Sequence, residues 1–399
     1  MFPPAPAIDE QEGFLPLDYL HGARSSVLDS ALSLNAGILP AQWIHKLIDR
    51  RIVRGAPIGP DQIQPASLDL RLGKTAYRIH ASFLPGREAH VGHKIEQLAT
   101  FKLDLTDGQV LQRGQIYLIE LEELLHLPQS ISAIANPKSS TGRLDIFTRV
   151  IADRGEVFDV VPEGYSGRLW AEVSPRTFDV LARRGSRLSQ LRFRRRNSQH
   201  RKQEVLRLND RQLEELNNRE PLTDAEPLIR NGLNLRVDLG GDENGIVGYK
   251  ARKHTNLVDL DLIGHYSVDE YWEPVRARNG SIILDPGEFY ILASKEEVRI
   301  PHDHAAEMAA IDPVMGEFRV HYAGFFDPGF GVTASGSGSR AVLEVRTYDF
   351  AFFLEDGQPI GRLAFEKLAE PPVYSYGTGG NSHYQGQKLR LSKHFSQDS

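Results

Sequence analysis

Within Pro137-Lys138-Ser139-Ser140-Thr141-Gly142-Arg143 a lysine, two serine hydroxyls and an arginine lie close together, directly after an apolar run. A cation, hydroxyls and turn backbone converging on one point suit a polyphosphate, while an ordinary Ser/Thr turn is the plainer reading of the same residues taken alone. His302-Asp303-His304 offers two nitrogen ligands, but it follows Ile300-Pro301 at a turn with no further ligand clustered nearby, so no metal site is assigned there. The Gly/Ser-rich residues 331–340 read as a flexible hairpin extension rather than a phosphate cradle. The chain holds no cysteine. That removes disulfides, thiolate nucleophiles and every zinc site built on sulfur, including the His-x-Glu with Pro-Cys-x-x-Cys signature of the zinc nucleobase deaminases.

Short strands must position these residues. Apolar runs at 115–120, 132–135, 168–173 and 178–181, and again at 288–293, 308–311, 341–346 and 350–354, are punctuated by Gly, Pro and Asp turns, as in an all-β sandwich or barrel. Helical periodicity is confined to 40–52, where Trp43, Ile44, Leu47 and Ile48 share one face, and to 210–218. A chain of 399 residues exceeds what one core usually organises, which predicts two domains. Its composition, 40% hydrophobic and 25% charged, is that of a soluble globular protein, and no apolar run is long enough to span a bilayer. Residues 1–8 carry neither the basic nor the apolar region of a signal peptide, so a cytoplasmic location is expected. A net charge of -6 argues against a nucleic-acid coat, and the basic residues 192–196 and 200–202 read as a solvated connector.

A repeat runs through the chain. Asp107-Gly108-Gln109-Val110-Leu111 followed by Gly114-Gln115-Ile116-Tyr117-Leu118 resembles Asn279-Gly280-Ser281-Ile282-Ile283 followed by Gly287-Glu288-Phe289-Tyr290-Ile291, at an offset of 172 to 173 residues. The same offset pairs Ala171-Glu172-Val173 with Leu343-Glu344-Val345, and Leu191-x-Phe193 with Leu363-x-Phe365. Register held over this distance indicates duplication. The division that follows is an N-terminal extension (1–38), a first domain (39–195), a polar linker with one short helix (196–228), and a second domain with a C-terminal tail (229–399).

The Lys138 segment lies between Gln64-Pro65-Ala66-Ser67-Leu68-Asp69-Leu70-Arg71-Leu72-Gly73 and Gly164-Tyr165-Ser166-Gly167-Arg168-Leu169-Trp170-Ala171-Glu172-Val173. That ordered set resembles the dCTP deaminase family, a branch of the trimeric dUTPase-like fold, over most of 40–193 and of 232–395. The resemblance implies a mainly β chain, a tandem duplication of a dUTPase-like distorted β-barrel or jelly-roll domain with a few short helices. It also implies roles. Lys138, Ser139, Ser140 and Arg143 take the phosphates. Ala323 of His321-Tyr322-Ala323 and Asp327 of Asp327-Pro328-Gly329-Phe330 belong to a hairpin that reads the nucleoside. Val342, Leu343 and Glu344 form the catalytic strand, and Tyr376, His383, Tyr384 and Gln387 the closing tail, with His383 where relatives often carry Lys. The second half has Asp312-Pro313-Val314-Met315-Gly316-Glu317 in place of the Ser-Ser-x-x-Arg turn, and the first half lacks such a tail. Each half wants what the other owns, so a composite site between them is expected, with Glu344 as the first choice of general base. Glu172, at the equivalent position, serves a second site or survives as a buried relic.

The activity implied is hydrolytic deamination of dCTP to dUTP and ammonia. Water adds at C4, a proton reaches N3 and the amine leaves, three transfers that one carboxylate in a dry site can carry. Mg²⁺ arriving with the triphosphate keeps most of its water, so no metal-ligand motif is called for, and no zinc is expected. The alternatives are a dUTP pyrophosphatase using Asp327, a bifunctional dCTP deaminase/dUTPase, and a non-catalytic nucleotide sensor. The expected partners are dCTP or dUTP, without nucleic acid or membrane, and self-association stays open.

Overall fold

Runs rich in β-branched and aromatic residues, closed off by glycines and prolines, have little choice but to extend and pair. A computed structural model of the chain describes residues 35–196, 207–309, 318–320 (backbone), 324–334, 336–378 and 382–396. In the first half the strands are β1 (Ser67–Ile79), β2 (Gln109–Leu111), β3 (Ile116–His126), β4 (Ile131–Pro137), β5 (Ile146–Ala152), β6 (Ser166–Pro175), β7 (Val180–Ala182) and β8 (Arg187–Arg195). The antiparallel path β4-β8-β1-β3-β6-β5 builds the large sheet. The second half contributes β9 (Leu233–Arg236), β10 (Ile246–Ala251), β11 (Val258–Asp259), β12 (Ser281–Leu284), β13 (Phe289–Val298), β14 (His304–Ala309), β15 (Ser339–Thr347), β16 (Phe352–Glu355) and β17 (Pro359–Lys367). Its sheets run β9-β17-β14 and β10-β13-β15, with β12 paired to β16. The chain is mainly β, and its strands curl into a nearly closed barrel.

The repeat read from sequence is kept in strand register. Leu118 faces Glu172 across β3 and β6, as Ile291 faces Glu344 across β13 and β15. Ala135 pairs with Leu191 as Met308 pairs with Leu363. The side chains agree: the Tyr117 hydroxyl accepts from the Gln112 amide (3.0 Å) and the Tyr290 hydroxyl from the Asp285 amide (3.1 Å). Arg71 clasps the buried Glu123 (2.8 Å) as Arg236 clasps Glu296 (2.5 Å).

Helices are few. In α1 (Ala41–Asp49) the face carrying Trp43, Ile44 and Leu47 is buried, as their spacing predicts. A second helix, α2 (Val91–Leu98), was not expected, although Val91 and Ile95 one turn apart are its buried pair. The turn after β4 closes into the single helical turn α3 (Ser139–Gly142). Beyond it α4 (Asp210–Arg219) starts at Asn209, whose side chain accepts from Gln212 N while the Gln212 side chain returns the bond.

The expected connector begins too early. The residues 192–195 do not form a solvated connector: β8 runs to Arg195, Arg192 is among the largest fully buried side chains, Arg194 and Arg195 are half-buried, and exposure begins at Arg196. At the other edge Gly37–Ile38, within the expected extension, pair with Arg195 and Arg194; residues 1–34 lie outside the described residues.

Two large apolar clusters, with two smaller ones beside them, fill the interior among the described residues. One belongs to the second half, whereas the larger joins first-half residues such as Phe178 to Tyr271, Trp272, Phe289, Ile291 and Phe395 of the second. Phe178 meets Tyr271 and Trp272 edge-on, at ring separations of 5.7 and 5.6 Å. The strands also cross over: β11 pairs in parallel with β7, and Arg183 grips Asp259 through bonds of 2.6 and 2.8 Å. The halves therefore fix each other's position.

Candidate active site

Between the halves lies a cavity of about 530 Å³, lined by Lys138, Ser139, Ser140 and Arg143 from the first half and by Asp327, Val342 and Glu344 from the second. The tail completes the lining with Tyr376, His383, Tyr384 and Gln387. Neither half encloses it alone.

Strand β15 sets the position of Glu344. Side chains alternate along a strand, so Val342 and Glu344 face the cavity while Leu343, expected beside them, turns into the second-half core. Glu344 is only 7% exposed. Burial pushes its carboxyl up to about 8, helped by Asp145 and opposed by the positive charge of Arg143. A carboxyl in that range both holds and releases a proton near neutral pH.

Arg143 ends α3, and the tail holds it. Its guanidinium donates to Gln387 Oε1 (3.1 Å) and to the Arg390 carbonyl (3.0 Å), and stacks 3.9 Å over the Tyr384 ring. Its Nε, buried, has no hydrogen-bond partner among the described residues. At the other end of α3, Lys138 donates to Asp69, which Arg187 approaches at 3.9 Å while pairing with Asp61 at 2.8 Å. The second oxygen of Asp69 also has no hydrogen-bond partner among the described residues. The open donor on Arg143 suits a charged oxygen of a ligand, whereas the open acceptor on Asp69 suits a donor such as a metal-bound water.

The Asp327 hairpin is fixed from across the domain boundary. Arg192 donates to Asp327 (3.1 Å) and to the Ala306 and Phe326 carbonyls, and lies 3.9 Å over the Phe325 ring. Burial pushes the Asp327 carboxyl up, and Arg192 pulls it back. This ion pair is withdrawn from water, so each partner depends on the other.

The tail is tied at both ends. Tyr376 N donates to the Pro328 carbonyl (2.8 Å), and its hydroxyl accepts from Tyr384 N (3.1 Å). Gln385 bonds Gly331 N and the Gly329 and Val332 carbonyls, gripping the same hairpin. Further on, Ser392 donates to the Ser140 carbonyl (2.9 Å), His394 meets the Leu260 carbonyl (3.0 Å), and Phe395 enters the shared core.

Glu172 stands elsewhere. It lines no part of this cavity; it is 2% exposed and pushed up by burial, with a hydrogen bond from Ser82 and the charge of Arg149 opposing. Ala323 lies outside the described residues, as do 312–317. His302 meets Ser375 Oγ (2.7 Å) and His304 meets Asp303 (2.6 Å); no cluster of three potential metal ligands occurs among the described residues. Asp69, Arg187, Arg192 and Lys393 are the site residues that sequence reasoning missed. Asp69 sat inside a motif already singled out, and Arg192 inside the basic stretch read as solvated.

Comparison with known proteins agrees with this geometry. Residues 35–197 match the family model of the 2'-deoxycytidine 5'-triphosphate deaminase N-terminal domain, and 209–395 that of its C-terminal domain. Curated relatives named "dCTP deaminase, dUMP-forming" include that of Kocuria rhizophila, 33% identical over 110 residues (27% of this chain, 54% of the relative). That of Clavibacter michiganensis is 36% identical over 109 residues (27% and 51%). The chain thus spans about half the length of these curated relatives. The crystal structure of 2'-deoxycytidine 5'-triphosphate deaminase from Agrobacterium tumefaciens is 49% identical and superposes with a TM-score of 0.79, covering 84% of this chain and 99% of that one. A cavity built jointly by two repeats, both recognised by the models of one family and matched along a solved member's whole length, places this chain in the dCTP deaminase family.

Proposed function

We propose that the protein deaminates dCTP at the cavity between its halves, with Glu344 as general base and without a zinc ion. The observation that carries this reading is a buried carboxyl lifted to about 8, in a cavity that it shares with Arg143 and the rest of the phosphate-binding segment. Lys138, Ser139, Ser140 and Arg143 take the triphosphate, and the Asp327 hairpin positions the nucleoside. Ionised Glu344 takes a proton from water as the water oxygen bonds to C4 and passes it to N3. It then takes the proton of the new C4 hydroxyl and gives it to the amine as the C4–N bond breaks and the C4 carbonyl forms. dCTP and water thereby become dUTP and ammonia.

Mg²⁺ accompanying the triphosphate is part of the proposal. Because it retains most of its water shell it needs few protein ligands, and Asp69, with an unpartnered oxygen at the phosphate end, fits as an acceptor for that shell. An ion held there would supply neutralisation of phosphate charge.

The relatives' names favour a second reading, in which dUMP is formed and Asp327 activates a further water at the α-phosphorus. The bond from Arg192 supports a positioning role for Asp327 instead. Ammonia and pyrophosphate measured separately, with dCTP and then dUTP as substrate, test both. Ammonia with dUTP is expected from dCTP; pyrophosphate from dUTP moves the reading to a dUMP-forming enzyme, and neither product leaves a nucleotide sensor. No helix among the described residues is long and apolar enough to cross a membrane.

A further inference from the structure

Beyond Gln387 the tail carries a lysine whose setting the deamination chemistry leaves unexplained. Lys393 lines the cavity on the side of Lys138 and Arg187, away from Glu344. Its backbone is held in place: Lys393 N donates to the Tyr384 hydroxyl (3.3 Å), and the neighbouring Ser392 and His394 side chains bond the Ser140 and Leu260 carbonyls. With Phe395 in the shared core, this stretch has little freedom to swing away.

The side chain so positioned makes no hydrogen bond or ion pair with a described residue. Two cations, Lys138 and Arg187, act against its charge, while Asp69 and Asp261 offset it from a distance. Asp69 is already engaged with Lys138 and approached by Arg187. Bringing a third cation to this place, largely withdrawn from water, costs free energy unless an anion of more than one charge arrives. The ordinary reading, a solvated tail lysine, fails on its partial burial and on a backbone pinned at both sides.

Resting on the nucleotide reading above, we infer that Lys393 is a specificity-determining residue that binds the distal phosphates and makes the site prefer a nucleoside triphosphate to the di- and monophosphate. Arg143 and the Ser139 hydroxyl, nearer Glu344, hold the proximal phosphates. Lys138, Arg187 and Lys393 surround the far end, where charge changes with phosphate number.

The test uses the full chain and two probes. Inorganic tripolyphosphate binding, followed calorimetrically, should weaken about tenfold or more in Lys393→Met, the worth of one charge-assisted contact, and recover in Lys393→Arg. In ammonia release, KM for dCTP should rise by a similar factor with kcat changed less than about threefold, and the preference for dCTP over dCDP should shrink about tenfold. Lys393→Gln replaces the methionine variant if the latter fails to fold. Unchanged tripolyphosphate affinity with an unchanged dCTP/dCDP ratio overturns the inference while leaving deamination intact. Lys393-dependent tripolyphosphate binding in a protein that releases no ammonia would instead sink the deaminase reading and keep the phosphate site.

Discussion

Glu172 and Glu344 occupy the same place in two copies of one fold, paired through Leu118 and Ile291 in the same register, yet their surroundings diverge. Around Glu344 the strand face opens onto a cavity whose far wall, Lys138 to Arg143, belongs to the other copy. Around Glu172 the face is closed within its own copy, where Leu118, Ile151 and Trp170 pack with Val91 and Ile95 of α2 and with Phe83. Both carboxyls are raised by burial, and Glu172 even keeps an oxygen without a hydrogen-bond partner among the described residues. Burial and a raised carboxyl are common to the two; what separates them is a facing wall of cations with room between.

The strongest way to break that comparison is to neutralise the second-half carboxyl. Glu344→Gln should lower ammonia release from dCTP by about 10²–10⁴-fold, the usual worth of a general base, with tripolyphosphate binding kept. Activity near that of the wild type would assign the chemistry to another group.

Next comes the part of the second-half site that is borrowed from the first. Arg192→Met leaves Asp327 buried without its partner and should cost about 3–5 kcal/mol in denaturant unfolding, whereas adding Asp327→Asn should restore most of it. A single variant as stable as the wild type would show that the hairpin does not depend on the other half.

The pH dependence sharpens the contrast further. The Glu344 carboxyl ionises near 4.5 when unfolded and at about 8 in the fold, so between these values the folded protein binds the extra proton. Its contribution is complete below pH 4.5 and is lost as pH rises through 8. Relative to wild type, Glu344→Gln should therefore gain on the order of 4 kcal/mol at pH 9 over pH 5, read from melting curves at both values. The same titration should make kcat/KM for dCTP climb toward pH 8.

The smallest effect is expected at the other copy. Glu172→Gln should alter turnover by less than about twofold and stability by less than about 1 kcal/mol, since an amide replaces a carboxyl that burial already holds toward neutrality. A collapse of turnover would mean that the first half houses a site of its own.

Much of this was legible in the chain. Strands followed from alternation and turn residues, and the repeat offset placed Glu172 and Glu344 as equivalents before any coordinates. That each half lacked one part was enough to expect the composite site whose lining the cavity displays. Leu343 was placed on the wrong side although strand alternation assigns it, with Val342 and Glu344 on one face and Leu343 on the other. Arg192 was not readable: in Leu191-Arg192-Phe193-Arg194-Arg195 local composition signals solvent, and its counterion, Asp327, comes from the other half of the chain. The same holds for Lys393, which meets Lys138 and Arg187 only once the tail has closed on the first half, while Arg187 reaches Asp69 through the pairing of β8 with β1, distant in the chain. Helix α2 escaped notice because two buried residues one turn apart are a weak periodic signal in eight residues.

The shared apolar cluster has a consequence for how the polypeptide could be divided. Because Trp272 and Phe395 pack among first-half residues such as Phe178, and Arg192 and Arg183 reach carboxylates of the second half, the halves are held by contact as well as by the chain between them. A backbone cut between Arg196 and Arg207 should leave the two fragments associated, and the same fragments made separately should find each other and restore turnover, as in a split-protein complementation pair.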